Sequence, residues 1–261
     1  MPDLSSFSLA GKVVVQCGGT GLLGRALVSG LAAAGATLVV ASRNRAALAA
    51  LADAEQAAGR TVLIEETDIG SEDSLRGLRD RLLIAHGRID GLVFNAVSRP
   101  MRAFGDDLSA WESSMATNAT GFFATARVFG DAMAARGSGS IVNIASMQGM
   151  IGPNFWLYEG TSMTAAPDYF FHKGGMINFT RYLAAHYGPR GVRANVVSPG
   201  GIFNPEKPQA PAFLERYGKT TLLGRMAEAR EIGGAVVFLL SDASTYVTGA
   251  NLPVDGGYTA K

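Results

Sequence analysis

Short runs of β-branched and apolar residues recur along the chain as VVVQC, TLVVAS, TVLIEE, DGLVFNA, SIVNIAS and RANVVSP, and helical patterns rich in alanine or leucine separate them. This alternation is the strongest constraint on the fold, because strand, helix, strand in repetition specifies a parallel sheet with helices on both faces. The runs are nearly uninterrupted in their apolar character, as strands covered on both sides require. RALVSGLAAAG and RAALAALADAEQAAG each finish at glycine, a common residue just past a helix end. No linker rich in proline, glycine or serine divides the chain and no short repeat recurs. The expected architecture is one doubly wound α/β domain over residues 1–261.

Composition narrows the function. Lys and Arg number 23 against 22 Asp and Glu, so neither a basic nucleic-acid surface nor an acidic arm is indicated, and the expected partner is a small molecule. Cys17 is the only cysteine, which excludes an internal disulfide framework and a cysteine-rich zinc site and fits a reducing compartment. The opening MPDLSSFSLAGK has no leader pattern and no later run reaches membrane-spanning length, so a cytoplasmic protein without membrane association is expected. His86, His172 and His186 lie far apart with no HExxH pair; they read as surface or packing residues, and no metal site is expected.

VVVQCGGTGLLGRALVSGLA runs from strand through a glycine-rich turn into helix. Gly18, Gly21 and Gly24 permit the tight turn, backbone approach to a pyrophosphate and close helix packing, and Thr20, Leu22 and Leu23 complete the same phosphate-facing turn. After the second strand come Ser42, Arg43 and Asn44, where an NAD-preferring site would usually offer a carboxylate to the ribose hydroxyls. A guanidinium at Arg43 can pair with a 2′-phosphate, so NADP(H) is the expected cofactor and NAD(H) the second choice. Two segments break the strand–helix rhythm: 147–168, and 201–220 with prolines at 205, 208 and 211. Both leave the carboxyl ends of strands, where open α/β sheets bind ligands, and both are expected to shape a substrate pocket.

The ordered set CGGTGLLG, Asp68, FNA, Asn118, IVNIAS, YFFHK, VVSPGG and VTGANLPVDGG resembles the short-chain dehydrogenase/reductase family over essentially the whole chain. The resemblance implies a single Rossmann-type domain, assembled as a homodimer or homotetramer, that oxidises alcohols or reduces carbonyls with a nicotinamide nucleotide. It also implies cofactor contacts from Asp68 and Ile69 near adenine, Asn95 and Ala96 beside the ribose, and Pro199, Gly200 and Ile202 around the nicotinamide. Two tyrosines compete for the catalytic position. Tyr158 lies twelve residues past Ser146 but has Ser162 four residues on, whereas Tyr169 has Lys173 at that spacing, on one face of a helix. A phenol is a poor base near neutral pH and an ammonium beside it favours the ionised form, which selects Tyr169. By the same resemblance, Ser146 orients the substrate oxygen, Tyr169 exchanges its proton, Lys173 supports the tyrosine and contacts the nicotinamide ribose, and Asn118 holds a relay water.

Some positions depart from the common family form. Cys17, Leu22, Phe94 and Val97 replace a threonine, a glycine, an asparagine and a glycine, and Phe170, Phe171 and His172 are bulkier than usual between Tyr169 and Lys173. Those bulky residues suit either altered packing between subunits or burial within one. The segment MQGMIGPNFWLYEGTSMTAAPD carries hydrogen-bonding and aromatic groups, among them Gln148, Trp156 and Tyr158; with Ser146 and Asn204 these are the expected substrate contacts. That mixture suits a sugar, sugar acid or polyol. The second reading is a 3-oxoacyl-thioester reductase, for which Lys207, Arg216 and Lys219 offer cations to a phosphopantetheine or carrier protein. A third, a nicotinamide-nucleotide-binding regulator without turnover, fits poorly with an intact Ser146, Tyr169 and Lys173.

Overall fold

Residues of β1 (Val13–Cys17) are buried throughout. Their side chains alternate, Val15 and Cys17 packing into one hydrophobic layer and Val14 into another on the opposite side. This is the signature of a strand covered on both faces, and it organises the whole chain. The computed structural model describes residues 4–260. From β1 the chain passes through α1 (Leu22–Ala33), β2 (Thr37–Ser42), α2 (Arg45–Ala57), β3 (Leu63–Glu66), α3 (Glu72–His86) and β4 (Gly91–Phe94). It continues through α4 (Leu108–Met115), a π-helical turn at Ala116–Gly121, α5 (Phe122–Arg136), β5 (Gly139–Ile144), α6 (Pro167–Tyr187) and β6 (Val192–Pro199). The final elements are α7 (Pro211–Thr220), α8 (Gly233–Leu240) and β7 (Asn251–Val254).

All strand pairs are parallel and the sheet order is β3-β2-β1-β4-β5-β6-β7. The winding reverses between β1 and β4, which opens a crevice at their carboxyl ends. One layer holds Leu75 and Leu78 of α3, Phe129 of α5 and Met176 of α6; the other holds Leu27 and Val28 of α1, Leu48 of α2 and Val236 of α8. The doubly wound single α/β domain expected from the sequence is therefore present. Gly35 and Gly59 follow α1 and α2 with positive φ of 93° and 76°, as the glycine stops predicted.

Three expectations need correction. TVLIEE is not a doubly covered strand: β3 is the sheet edge, and its Leu63 and Ile64 are 40% and 37% exposed. The segment 147–168 ends earlier than predicted, because Pro167 opens α6; before it lie two short 3-10 turns, Met147–Gly149 and Phe155–Tyr158. The second half of 201–220 is helix α7, started by Pro211, whose fixed φ suits a first helical position. Phe213 and Tyr217 of α7 pack with Met147 and Leu157 into a third apolar cluster. Each such buried side chain contributes on the order of 1.5–3 kcal/mol, so the two irregular segments hold each other rather than hanging independently. Among the described residues, no helix is long and apolar enough to cross a membrane.

Candidate active site

A cleft of about 740 Å³ runs along the carboxyl ends of the central strands. At one end the β1–α1 turn is pressed against the end of β4. Gly18 has φ +88°, and a Cβ there would lie 2.6 Å from Ala96 Cα. At Gly24 a Cβ would sit 2.5 Å from the Gly18 carbonyl oxygen, so neither position accepts a side chain without moving backbone. Asn95 Nδ2 donates to the Gly18 carbonyl at 2.7 Å and Gln16 Nε2 to the Gly24 carbonyl at 3.0 Å, which fixes the turn. Gly21 differs: its missing side chain faces open space, and as the cap of α1 it supplies no side-chain hydrogen bond to the first turn. The amides at that helix end are thus bare toward the cleft, the arrangement that receives a pyrophosphate. These residues fit a dinucleotide.

Farther along, Ser42 and Arg43 line the cleft from the end of β2, and Arg43 is exposed with no hydrogen-bond or ion-pair partner among the described residues. Two predicted cofactor residues do not line it. Asn44 caps α2, its Oδ1 accepting from the Ala47 amide at 2.9 Å, and Asp68 turns its Oδ1 to the Gly70 amide at 3.0 Å. Thr67 and Ile69, on either side of Asp68, face the cleft instead. Asn95, Ala96, Pro199, Gly200 and Ile202 all line it, as do Thr20, Leu22 and Leu23.

The other end gathers Ser146, Tyr169 and Lys173. Lys173 is 3% exposed, donates to the Ile144 carbonyl at 2.6 Å, and places its Nζ 5.6 Å from the Tyr169 ring centroid. Burial, and next the charge of Arg99, push the Lys173 ammonium down to about 7. Ser146 closes the first turn after β5 by accepting from the Gln148 amide at 3.2 Å. Gln148 Nε2 in turn donates to Tyr158 Oη at 3.0 Å. Tyr158 also lines the cleft, but it packs on Phe213 with ring centroids 5.5 Å apart, and burial raises its phenol above the ordinary value. Among the two tyrosines, only Tyr169 has a lysine over its ring.

Asn118 lies behind this end rather than in it. Its Nδ2 donates to the Ser98 carbonyl at 2.8 Å and to Ser114 Oγ at 2.9 Å, while its Oδ1 accepts from the Ser98 amide at 2.9 Å. Both amide hydrogens are spent, so the side chain anchors the loop after β4 and has no further N–H to donate. Ser114 Oγ donates to Asp168 Oδ2 at 2.5 Å, tying that loop to the start of α6 beside Tyr169. Within the bulky stretch, Phe171 is 59% exposed and meets Trp111 at 5.0 Å between centroids, whereas His172 is buried. Burial, and next Lys173, hold that imidazole down to about 3, so it is neutral.

Of the predicted substrate residues, Gln148, Tyr158 and Asn204 line the cleft and Trp156 does not. Trp156 is 43% exposed beneath the Arg216 guanidinium, 5.6 Å from the ring centroid. Arg216 also donates to the Trp156 and Glu159 carbonyls, which staples α7 to the preceding segment, and Lys219 pairs with Glu215 at 2.6 Å. Sequence reasoning missed Arg99, Met163, Tyr217 and Tyr258, all on the cleft wall. Each sits in an irregular segment or at a helix position with no motif to single it out. Among the described residues no group of His, Cys, Asp or Glu could hold a metal ion.

The reversal of winding at β1 and β4, with a bare helix terminus facing it, defines a Rossmann-type nicotinamide-dinucleotide oxidoreductase once the relatives are considered. The chain belongs to the short-chain dehydrogenase/reductase family, and the family model for enoyl-(acyl carrier protein) reductase matches residues 21–259. It is 35% identical over 260 residues to a galactitol 2-dehydrogenase (L-tagatose-forming) of Cereibacter sphaeroides, covering 97% of each chain. It is 34% identical over 256 residues to a cis-4-hydroxycyclohexanecarboxylate dehydrogenase of Sinomonas cyclohexanicum, covering 97% of this chain and 98% of the relative. Among solved structures, a gluconate 5-dehydrogenase from Burkholderia cenocepacia J2315 in complex with NADP and tartrate superposes with a TM-score of 0.89 at 30% identity over 99% of both chains. The protein is an NAD(P)-dependent dehydrogenase/reductase acting on CH–OH and C=O groups of small molecules.

Proposed function

We propose that the chain interconverts an alcohol and a carbonyl on a sugar, sugar acid or polyol-like substrate, with NADP(H) as its preferred cofactor. The observation that carries this reading is the meeting of Ser146, Tyr169 and Lys173 in one cleft with a wall of hydrogen-bonding side chains, Gln148, Asn154, Tyr158 and Asn204. Such a wall suits a hydroxylated substrate and interrupts the apolar channel a long acyl chain needs. The names of the galactitol and gluconate relatives support the same class. Of the three cations that favour the thioester reading, Arg216 and Lys219 are engaged within the protein, which weakens it, and Lys207 makes no side-chain ion pair among the described residues.

In this mechanism Ser146 Oγ donates to the substrate oxygen and holds it toward Tyr169 Oη, which gives up its proton during reduction and takes one during oxidation. The nicotinamide, when bound, supplies or accepts the hydride. Lys173 places its charge under the tyrosine and toward the nicotinamide ribose, and Asn118, through Ser98 and Ser114, holds the walls in register. Arg43, free of partners at the end of β2, takes the 2′-phosphate through its planar fork. Phe123, Phe171 and Tyr182, exposed at 44%, 59% and 58% along α5 and α6, form a face suited to a second copy in a homo-oligomer.

The test follows nicotinamide absorbance with each cofactor against sugars, sugar acids, polyols and an acetoacetyl thioester. Turnover with hydroxylated substrates and NADP+ is expected. Turnover on the thioester alone would overturn the substrate class, and equal efficiency with NAD+ would overturn the cofactor preference.

A further inference from the structure

The cleft carries positive charge beyond the Arg43 and Lys173 assigned to the cofactor and the catalytic tyrosine. Its wall includes Arg43, Arg99, Arg102 and Lys173 and, among the described residues, no aspartate or glutamate. Arg43 lies at the adenosine end and Lys173 is buried against the Ile144 carbonyl. Arg102 is next to Asp106, whose carboxylate accepts from the Arg102 and Ala103 amides and is held below its usual range by those bonds and, more weakly, by the Arg102 charge.

Arg99 has no such neighbour. It is exposed, donates no hydrogen bond and forms no ion pair among the described residues, and its guanidinium carbon sits 4.5 Å from the Tyr169 ring centroid. Cation–π contact with that ring holds the guanidinium beside Tyr169 while leaving its N–H groups unspent. The residue before it, Ser98, is clamped through both backbone groups by Asn118, so the position is built rather than left to a loose loop.

We propose that Arg99 is a specificity-determining residue that binds a carboxylate on the substrate. A single guanidinium offers two parallel N–H groups, which match one planar carboxylate, whereas a phosphate dianion calls for more donors than this position supplies. The location over Tyr169 puts the carboxylate within one small ring or short chain of the reacting carbon. The assignment rests on the proposed alcohol–carbonyl chemistry and narrows its substrate from neutral polyols to hydroxy or oxo acids.

The test is a binding measurement that needs no turnover. Cyclohexanecarboxylate, cyclohexanecarboxamide and cyclohexyl phosphate are titrated calorimetrically into the protein saturated with NADP+. The carboxylate is expected to bind roughly tenfold to a hundredfold more tightly than the amide, the worth of a charge-assisted bidentate pair. In Arg99→Met that ratio falls to about one, and in Arg99→Lys it is partly restored, while NADP+ affinity is retained in both. A wild-type ratio near one, a ratio unchanged in Arg99→Met, or tighter binding of the phosphate than of the carboxylate would overturn the assignment. The matched ketones, 4-oxocyclohexanecarboxylate and its amide, are then assayed with NADPH. Failure to reduce either, with the binding ratio intact, would count against the alcohol–carbonyl reading and not against the carboxylate site.

Discussion

Replacing Lys173 by methionine removes a charged group buried in the cleft and changes how stability depends on pH. The ammonium falls from 10.5 to about 7 because burial strips its hydration and Arg99 adds like charge. Below about pH 7 the lysine is protonated in both folded and unfolded chains, and the folded state bears the whole cost of holding the charge. Between about 7 and 10.5 the unfolded chain keeps a proton that the folded one has lost, so stability rises with pH through that window. At about 1.36 kcal/mol per tenfold, the full span amounts to about 5 kcal/mol, of which roughly 2.7 kcal/mol falls between about pH 6 and pH 9. Urea denaturation of the wild type and Lys173→Met, without cofactor, measures it: the wild type is expected to gain about that much on the variant from the lower to the higher pH. The offset at one pH is not informative, because the variant also strands the Ile144 carbonyl, a loss independent of pH. His172, the imidazole beside Lys173, is held down to about 3 in the folded state, and its titration near 6.5 in the unfolded chain is common to both proteins and cancels in their difference. A flat difference between the two proteins, or one that closes in the opposite direction, would refute the reasoning.

Tyr169→Phe is expected to lower kcat by about 100-fold to 10,000-fold with NADP(H) affinity unchanged, whereas Tyr158→Phe, which loses only the Gln148 contact, keeps activity within about tenfold. Stopped-flow turnover and cofactor titration check both, and the reverse pattern would make Tyr158 the proton donor. Arg43→Asp places a carboxylate against the 2′-phosphate and is expected to lower the NADP+ to NAD+ ratio of kcat/KM by roughly tenfold to a hundredfold, and an unchanged ratio would show that Arg43 does not read the phosphate. Gly18→Ala forces a side chain to φ +88° and 2.6 Å from Ala96 Cα. A loss of more than about 2 kcal/mol in thermal or urea denaturation is expected, and a variant as stable as the wild type would contradict the close approach of β1 and β4.

What the sequence alone determined lies in short-range rules. The alternation of buried strand and helix, the glycines at 18 and 24, and the four-residue spacing of Tyr169 and Lys173 are properties of a few consecutive residues, and backbone sterics and helical periodicity read them directly. Only the tertiary structure decided the rest. TVLIEE has the composition of a covered strand, yet β3 is an edge because nothing in its own residues states the strand order. Trp156 looked like a substrate platform and instead lies under Arg216, sixty residues away, since side-chain direction in an irregular segment depends on what packs against it. Asn118 carries a recognisable motif, but its amide is spent on Ser98 and Ser114. Arg99 carries no motif at all. Its significance comes from standing over Tyr169, seventy residues on, in a cleft from which every carboxylate is absent among the described residues. Charge that is unremarkable along the chain becomes specific when folding removes its partners and places it beside the reacting group.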